Sequence, residues 1–149
     1  MAEPYDISVT RYIAAPPDKV WQAMIERFED YWCPRPWRTQ IVEIDWRSGG
    51  RMATIMRGPE GESHEGDGVL LEVTPGVRIV FTDAFSAGWI PQPAFMVGCL
   101  ELAPEGEGTR YTGTARHWTQ EAHDQHMQMG FVEGWTSVAT QLAEIVEGQ

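Results

Sequence analysis

Alternating apolar and polar positions near the start of the chain predict a β-strand. In YDISVTRYIAAP, Ile7 and Val9 are separated by polar neighbours, and the β-branched content favours an extended backbone. In PPDKVWQAMI, apolar residues recur at helical spacing behind Asp18, which we expect to be the N-cap of a short helix. RFEDYWCPRPWR predicts a second short helix. Pro34 and Pro36 end it, because proline fixes φ and lacks a backbone N–H.

The middle of the chain, from Thr39 to Trp118, reads as a succession of strands. Apolar stretches alternate with the turn sequences RSGG, GPEGE, TPG and APEGEG. Connections this short favour an antiparallel meander over parallel strands joined by crossover helices. The predicted strands are TQIVEIDW, RMATIMR, GDGVLLEV, VRIVFTDAF, AFMVGCLEL and TRYTGTARHW.

The rest of the chain predicts one long helix. It contains no proline, Thr119 is a candidate N-cap, and Gly148 follows the last turn. At 100° per residue, one apolar stripe forms along this helix, with His126 at its edge. Glycines at 130 and 134 would let the helix backbone approach another surface closely. The stripe consists of His123, Met127, Phe131, Gly134, Val138, Leu142 and Ile145.

These elements predict an α+β fold of the helix-grip type. A curved antiparallel sheet of about six or seven strands would wrap on a long C-terminal helix, with two short helices after the first strand, in one domain spanning 1–149. Gly98, Gly113 and Ala115 fall on inward faces where a packed core would carry larger residues. They predict an apolar cavity between sheet and helix, although the two glycines could instead only relieve strain in the sheet.

Charge and composition narrow the classes of partner. The chain of 149 residues has 11 basic and 22 acidic side chains, a net charge of −11, with no basic run. Nucleic acid and anionic membranes would be repelled, so neither is expected as a partner. The sequence has no signal-peptide pattern and no apolar stretch that could span a membrane, which predicts a cytoplasmic protein. No phosphate-binding glycine loop is present, and we expect no cofactor.

The two cysteines carry little chemistry of their own. Cys33 and Cys99 form neither a CxxC motif nor a zinc-like cluster, so reduced thiols are expected. Cys33 lies beside Arg35, which could depress the pKa of its thiol and activate it as a nucleophile. No histidine is close to it in sequence, and a buried thiol is the favoured interpretation.

The sequence HDQHMQMG raises the question of a metal site. His123 and His126, three residues apart, share a helix face, and His117 or His64 could supply a third ligand. Zinc-binding catalytic helices, however, usually carry His-Glu-x-x-His, and di-iron sites need Glu-x-x-His on paired helices. We therefore expect no metal.

An acid–base site is a second hypothesis. His117 or His126 could act as the proton-transfer group, because histidine titrates near neutral pH. A carboxylate of Asp83, Glu121 or Asp124 could then fix its tautomer. The alternative is that these histidines are hydrogen-bonded structural residues at the start of a helix.

Several quoted stretches together resemble a known family. WQAMIERFEDYWCPRPWRTQIVEIDWRSGGRMATIMRGPEGE, GDGVLLEVTPGVRIVFTDAF, GTRYTGTARH and HMQMGFVEGWTSVATQLAEIV are similar to the bacterial branch of the heat-shock-protein-90 ATPase activator-like family. That family lies within the START-related (SRPBCC) helix-grip superfamily, and the likeness covers about residues 6 to 147. It implies the helix-grip fold. The superfamily includes lipid carriers, steroid binders, aromatase/cyclases and chaperone regulators, so the fold alone does not select a function. The eukaryotic co-chaperone of this family carries a separate N-terminal chaperone-binding domain, and in 149 residues we expect no room for it.

Binding of a small apolar or aromatic molecule is the hypothesis that accounts for most of the sequence features. Seven tryptophans are present, and several fall at strand ends or in loops. The aromatic loop from Asp83 to Phe95 is long enough to cover a cavity, or to be a plain surface loop. Either Arg116 or His117 could anchor a polar group, and strand alternation with Tyr111 favours His117. The predicted ligand-binding residues are Trp32, Cys33, Trp37, Met56, Phe81, Asp83, Trp89, Phe95, Tyr111, His117, His123, Met127 and Phe131.

Two other functions stay open at this point. A cyclase- or hydratase-type enzyme would use His117 and His126 within the same cavity. A chaperone-regulating interaction module would need an exposed interface. Open sheet edges and surface tryptophans would also allow a homodimer. Our expectation is binding without catalysis.

Overall fold

Seven strands form one antiparallel sheet in the order β1-β9-β8-β5-β4-β3-β2 in the computed structural model, which describes residues 5–148. A two-stranded hairpin, β6 and β7, stands apart from it. The helix-grip fold predicted from the sequence is confirmed. The elements are β1 (Asp6–Ile13), α1 (Pro17–Glu26), α2 (Phe28–Tyr31), β2 (Arg38–Ile44), β3 (Arg51–Arg57), β4 (Ser63–Thr74), β5 (Arg78–Thr82), β6 (Phe85–Ser86), β7 (Ile90–Pro91), β8 (Met96–Glu105), β9 (Gly108–His117), α3 (Gln120–Gln128) and α4 (Phe131–Glu147).

The strand pairing brings the two ends of the described chain together. β1 pairs with β9 along its whole length, from Asp6 opposite Arg116 to Ile13 opposite Thr109. On its other side β9 pairs with β8, which places Met96 opposite His117. The backbone of Tyr5, just before β1, therefore lies beside the end of β9.

Two strand predictions need adjustment. β4 begins at Ser63, earlier than predicted, because the exposed residues before Gly66 pair with β3, with His64 opposite Met56. The loop between Asp83 and Phe95 contains the hairpin β6 and β7, in which Phe85 pairs with Pro91. That hairpin is too short to show an alternating pattern.

The start of α1 differs from the prediction. Pro16 is the N-cap residue and Pro17 occupies the first helical position, where proline's missing N–H leaves no donor to satisfy. Asp18 lies in the first turn, and its carboxylate accepts a hydrogen bond from the Lys19 N–H. The expectation that Asp18 caps this helix is therefore wrong. A negative charge in the first turn still interacts favourably with the helix dipole.

The C-terminal helical region consists of two helices, and the prediction of one continuous helix is wrong. Thr119 caps α3 as predicted, its hydroxyl accepting a hydrogen bond from the Ala122 N–H at 3.1 Å. Helix α3 ends at Gln128, and Gly130, with φ of 87°, turns the chain into α4. Glycine takes this left-handed conformation without steric cost. Within residues 5–148, no helix has the length and apolarity needed to cross a bilayer.

This break changes which residues the predicted stripe buries. Val138 and Leu142 of α4 are buried as expected. Upstream of the break, Met127 is 44% exposed while His126 is only 7% exposed. The sequence predicts Met127 on the buried stripe and His126 at its edge, whereas His126 is the buried residue and Met127 is exposed. The left-handed turn rotates α3 relative to α4 and so changes which of them faces the core.

Aromatic rings fill the space between the sheet and α4. Trp32 is 9% exposed, and its ring lies 5.8 Å from the ring centroids of both Phe81 and Trp135. A Cβ added at Gly98 would overlap the Phe81 ring, and one at Gly113 would lie 3.0 Å from Trp135. The expectation that these glycines leave empty volume is wrong, because two aromatic side chains occupy it.

Candidate functional site

A groove of about 450 Å³ lies between the segment that follows α2 and the first half of α4. One wall carries the side chain of Trp37, and Met56 of β3 and Met129 contribute further apolar surface. Gly130 and Gly134 present backbone in place of side chains. The full lining is Cys33, Pro34, Arg35, Trp37, Met56, Met129, Gly130, Glu133, Gly134 and Ser137.

A second recess, of about 610 Å³, adjoins this groove. The two share Cys33, Arg35 and Trp37, so Trp37 stands between them. The second recess is more polar, because charged side chains surround its mouth. Its remaining lining residues are Glu29, Asp30, Trp32, Pro36, Arg38, Thr39 and Gln141.

The segment between α2 and β2 is held in place by Gln141 of α4. The Gln141 side chain donates to the carbonyl oxygens of Tyr31 and Cys33, at 2.9 and 3.0 Å. Its own carbonyl oxygen accepts the Arg35 N–H at 2.9 Å. Gln141 is 6% exposed, so these bonds are shielded from water. The sequence analysis missed this residue, although a glutamine within the apolar face of a helix is a signal that it has a buried partner.

Cys33 forms part of the groove without the properties of a nucleophile. Its Sγ contacts the Thr39 hydroxyl at 3.2 Å, and its φ of 69° is the conformation that turns the chain away from α2. Burial raises the pKa of the Cys33 thiol, so the thiol stays protonated at neutral pH. Arg35, expected as an activating neighbour, forms an ion pair with Glu144 at 3.5 Å. The interpretation of Cys33 as a buried thiol fits this geometry.

His117 and His126 form a buried pair beside Phe131 and Trp135, at the start of α4. His117 Nδ1 lies 2.7 Å from the carbonyl oxygen of Tyr5, which can only accept, so this nitrogen donates. His117 Nε2 then accepts from His126 Nδ1 at 2.8 Å. Both ring nitrogens of His117 are engaged. Burial first, and then the proximity of His117, lower the pKa of His126 to about 4, so His126 is neutral at pH 7.

The pair fastens α3 to the body of the protein. His126 is the buried residue of α3, and its ring lies 4.9 Å from Phe95 and 4.7 Å from Phe131, measured between centroids. Phe95 also lies 5.7 Å from His117. The two histidines thus act as a polar contact inside an aromatic cluster.

The carboxylates expected to orient these histidines make other contacts. Asp83 Oδ1 accepts the backbone N–H groups of Phe95 and Met96, at 2.9 and 3.3 Å. Asp124 is exposed and bonds to His123 at 2.9 Å, while Glu121 is exposed in the first turn of α3. Among residues 5–148, no group of three or more histidine, cysteine or acidic side chains is placed to hold a metal ion.

The remaining predicted ligand-binding residues fall into separate places. Phe81 and Tyr111 are buried in the core. Trp89 is 54% exposed, and its ring packs beside Phe85 in the β6–β7 hairpin. Met127 is exposed on α3, whereas His123 is half-buried and its ring lies 6.0 Å from that of His117. Of the predicted ligand-binding set, the structure brings Trp32, Cys33, Trp37 and Met56 to the two recesses, and Phe95, His117, His123 and Phe131 to the cluster around the catalytic candidate His126.

Solved structures similar to this chain share the fold over almost its full length. A protein from Nitrosomonas europaea is 34% identical and superposes with a TM-score of 0.93, covering 99% of this chain and 97% of its own. A protein from Mycobacterium smegmatis is 26% identical, with a TM-score of 0.79, covering 95% of this chain and 90% of its own.

Comparison of the sequence with protein-family models assigns the chain to a family. A search of curated proteins finds no match to this chain. The family model described as activator of Hsp90 ATPase homolog 1-like protein matches residues 14–147. This span includes both walls of the groove, the histidine pair and strands β2 to β9. The chain therefore belongs to the activator of Hsp90 ATPase homolog 1-like family.

Proposed function

We propose that this protein binds a small apolar or aromatic molecule in the groove between the Cys33–Trp37 segment and α4. The observation that carries the proposal is the position of Trp37, whose half-buried ring lines both adjoining recesses. Tryptophan offers a large apolar contact together with one N–H donor. Met56 and Met129 add flexible apolar side chains that adapt to ligands of different shape.

The size of the groove fits this function. Each recess has a volume, about 450 and 610 Å³, within the range of roughly 300 to 1,000 Å³ that is usual for small-molecule sites. A Cβ added at Gly134 would lie 3.7 Å from Pro34, so the glycine keeps the floor of the groove open. A bulky side chain there would occupy the ligand's place.

The groove replaces the interior cavity expected from the sequence as the place for the ligand. Phe81, Trp135 and Trp32 pack against one another where that cavity was expected, so an interior ligand would have to displace them. In this proposal Trp32, Cys33, Trp37 and Met56 contact the ligand. The buried rings beneath them support the floor of the groove.

An enzymatic role for the histidine pair has less support. His117 has no ring nitrogen left for a substrate, because Tyr5 and His126 occupy both. The His126 ring packs against Phe95 and Phe131, and neither histidine is among the residues that line the groove. General acid–base catalysis needs a nitrogen within hydrogen-bond reach of the substrate.

The family description names activation of the Hsp90 ATPase, which is a different activity from ligand binding. A direct assay separates the two. The purified protein is added to Hsp90 and ATP hydrolysis is measured, and we expect no change in rate. Stimulation that survives substitution of Trp37 would place the function on another surface.

Binding is tested by thermal shift against a set of apolar and aromatic molecules that includes 1-octanol and 1-naphthol. We expect at least one to raise the melting temperature of the wild type and of Trp89→Ala, but not of Trp37→Ala. Trp89 is the matched control, because it is an exposed tryptophan outside the groove. If a ligand raised the melting temperature of both variants equally, the groove would not be the binding site. If no ligand raised the melting temperature of any of the three proteins, the binding proposal itself would be contradicted.

A further inference from the structure

Two arginines face each other directly across strands β2 and β3. Arg38 and Arg57 are register partners at the end of the β2–β3 pair where β2 begins. Like charges at directly opposite positions of an antiparallel pair destabilise it. The chain has 22 acidic residues and only 11 basic ones, so carboxylates for neutralising such a pair are abundant.

Neither arginine forms an ion pair with any of residues 5–148. Arg57 Nε donates to the side-chain oxygen of Gln40 at 2.9 Å, and both side chains are exposed. The remaining donors of the two guanidinium groups point to no acidic partner in the described chain. The arginines that do form ion pairs are Arg27, Arg35, Arg47, Arg51, Arg78, Arg110 and Arg116.

A recess of about 250 Å³ lies against this arginine pair. Its lining consists of Arg38, Arg57, Thr39, Gln40 and Glu29. Glu29 is the one acidic side chain in that lining, and its carboxylate accepts the backbone N–H of Ile41 at 2.6 Å. The recess therefore combines two guanidinium groups and a side-chain amide, the donors that bind carboxylate and phosphate oxygens.

This recess is linked to the groove through shared lining residues. It shares Arg38 and Thr39 with the neighbouring recess of about 610 Å³, which in turn shares Trp37 with the apolar groove. One surface thus has an apolar end at Trp37 and Met129 and a cationic end at Arg38 and Arg57. The overall charge of −11 repels anions, so attraction of an anion requires a local cationic site of this kind.

We propose that Arg38 and Arg57 bind the anionic headgroup, a carboxylate or a phosphate, of a ligand whose apolar part lies against Trp37. The inference rests on the proposed function, since the apolar part of the ligand occupies the same groove. It narrows the ligand class to amphipathic anions. Binding of the anion also relieves the repulsion between the two guanidinium groups.

The test compares three ligands with the same eight-carbon chain by isothermal titration calorimetry. The ligands are octanoate, octyl phosphate and 1-octanol, each below its aggregation concentration. For the wild type we expect an anion to bind about tenfold more tightly than the alcohol, as charge-assisted hydrogen bonds require. Arg38→Gln and Arg57→Gln should each remove most of this difference. Arg57 lines neither of the two recesses beside Trp37, so Arg57→Gln should also leave the affinity for 1-octanol unchanged. The tighter of the two anions identifies the headgroup.

The matched control is Arg47→Gln, which removes the same charge at the opposite end of the β2–β3 hairpin. We expect it to bind all three ligands as the wild type does. Equal affinities of the wild type for all three ligands would overturn this inference while leaving the proposed function intact. No binding of any ligand would overturn the proposed function, and this inference with it. A loss in Arg47→Gln equal to that in Arg38→Gln would also overturn the inference, since net charge alone would then explain the preference.

Discussion

His126 Nδ1 donates a hydrogen bond to His117 Nε2 across 2.8 Å, and this bond joins α3 to β9. His117 Nε2 is the acceptor because the other ring nitrogen of His117, Nδ1, donates its N–H to the Tyr5 carbonyl. A protonated His126 would carry a charge into an aromatic cluster.

The first prediction concerns acid stability. The pKa of His126 is about 4 in the folded protein, below its ordinary value of 6.5, so the unfolded chain takes up a proton first as the pH falls. The stabilisation is therefore complete above about pH 6.5 and is lost progressively between that pH and about 4. The loss should be about 3 kcal/mol in the free energy of unfolding, since folding lowers the pKa of His126 from 6.5 to about 4. Urea denaturation of the wild type and His126→Gln over this range measures it.

His126→Gln keeps a hydrogen-bond donor for His117 without a titrating group, so its pH dependence should be shallower than that of the wild type. His64→Gln is the matched control, because His64 is an exposed histidine on β4. Parallel pH profiles for the wild type and His126→Gln would contradict this account of the pair.

The second prediction concerns Gln141. Gln141→Leu leaves the carbonyl groups of Tyr31 and Cys33 and the Arg35 N–H without their partner. Unsatisfied buried polar groups each cost about 1–3 kcal/mol, so the free energy of unfolding should fall by at least about 2 kcal/mol. Chemical denaturation measures this change, and Gln22→Leu, the same substitution on the exposed side of α1, should change it by less than about 0.5 kcal/mol.

Gln141→Leu should also loosen the groove wall. Hydrogen exchange of the Arg35 amide, which bonds to Gln141, should become faster in this variant, since that amide loses its acceptor. An unchanged exchange rate would show that Pro34 and its neighbours hold the segment without Gln141.

The third prediction concerns the fit of Phe81 against Gly98. The two residues are directly opposite in β5 and β8, and a methyl group at position 98 would overlap the ring. Gly98→Ala should destabilise the fold by about 1–3 kcal/mol. The strand glycine Gly66, where an added Cβ would meet only the Thr54 hydroxyl at 3.7 Å, should accept alanine with little effect.

A double-mutant cycle separates steric overlap from a general loss of strand stability. In a Phe81→Leu background, Gly98→Ala should cost clearly less than in the wild type, because the smaller side chain leaves room for the methyl group. If the losses in the free energy of unfolding from Phe81→Leu and Gly98→Ala were additive, overlap with the Phe81 ring would not be the reason for the glycine at position 98.

The strands and the helix-grip fold could be predicted from sequence because they follow from local periodicity. Alternation along β1 and the turn residues between the later strands are properties of neighbouring positions. The break at Gly130 could not be found this way, since the apolar spacing continues through it. The turn is accompanied by a long-range contact, the hydrogen bond between His126 and His117, that local spacing does not indicate.

The details of the candidate site depend on contacts between distant parts of the chain. Trp37 and Met56 are among the predicted ligand contacts, and both line the groove. Gln141 bonds to residues more than one hundred positions away, at separations of 106 to 110. The filling of the expected cavity depends on the register that sets Phe81 opposite Gly98. Neither relationship has a signature in local sequence.

The measurement that tests the binding groove most directly is a ¹H–¹⁵N NMR titration of the full chain with 1-octanol. The account predicts that amide shifts change in the Cys33–Trp37 segment, at Met56 and from Met129 to Ser137, with the Trp37 indole N–H changing and the Trp89 indole N–H unchanged. Shift changes confined to Phe95, His117 and His126, or to the core around Phe81 and Tyr111, would contradict it.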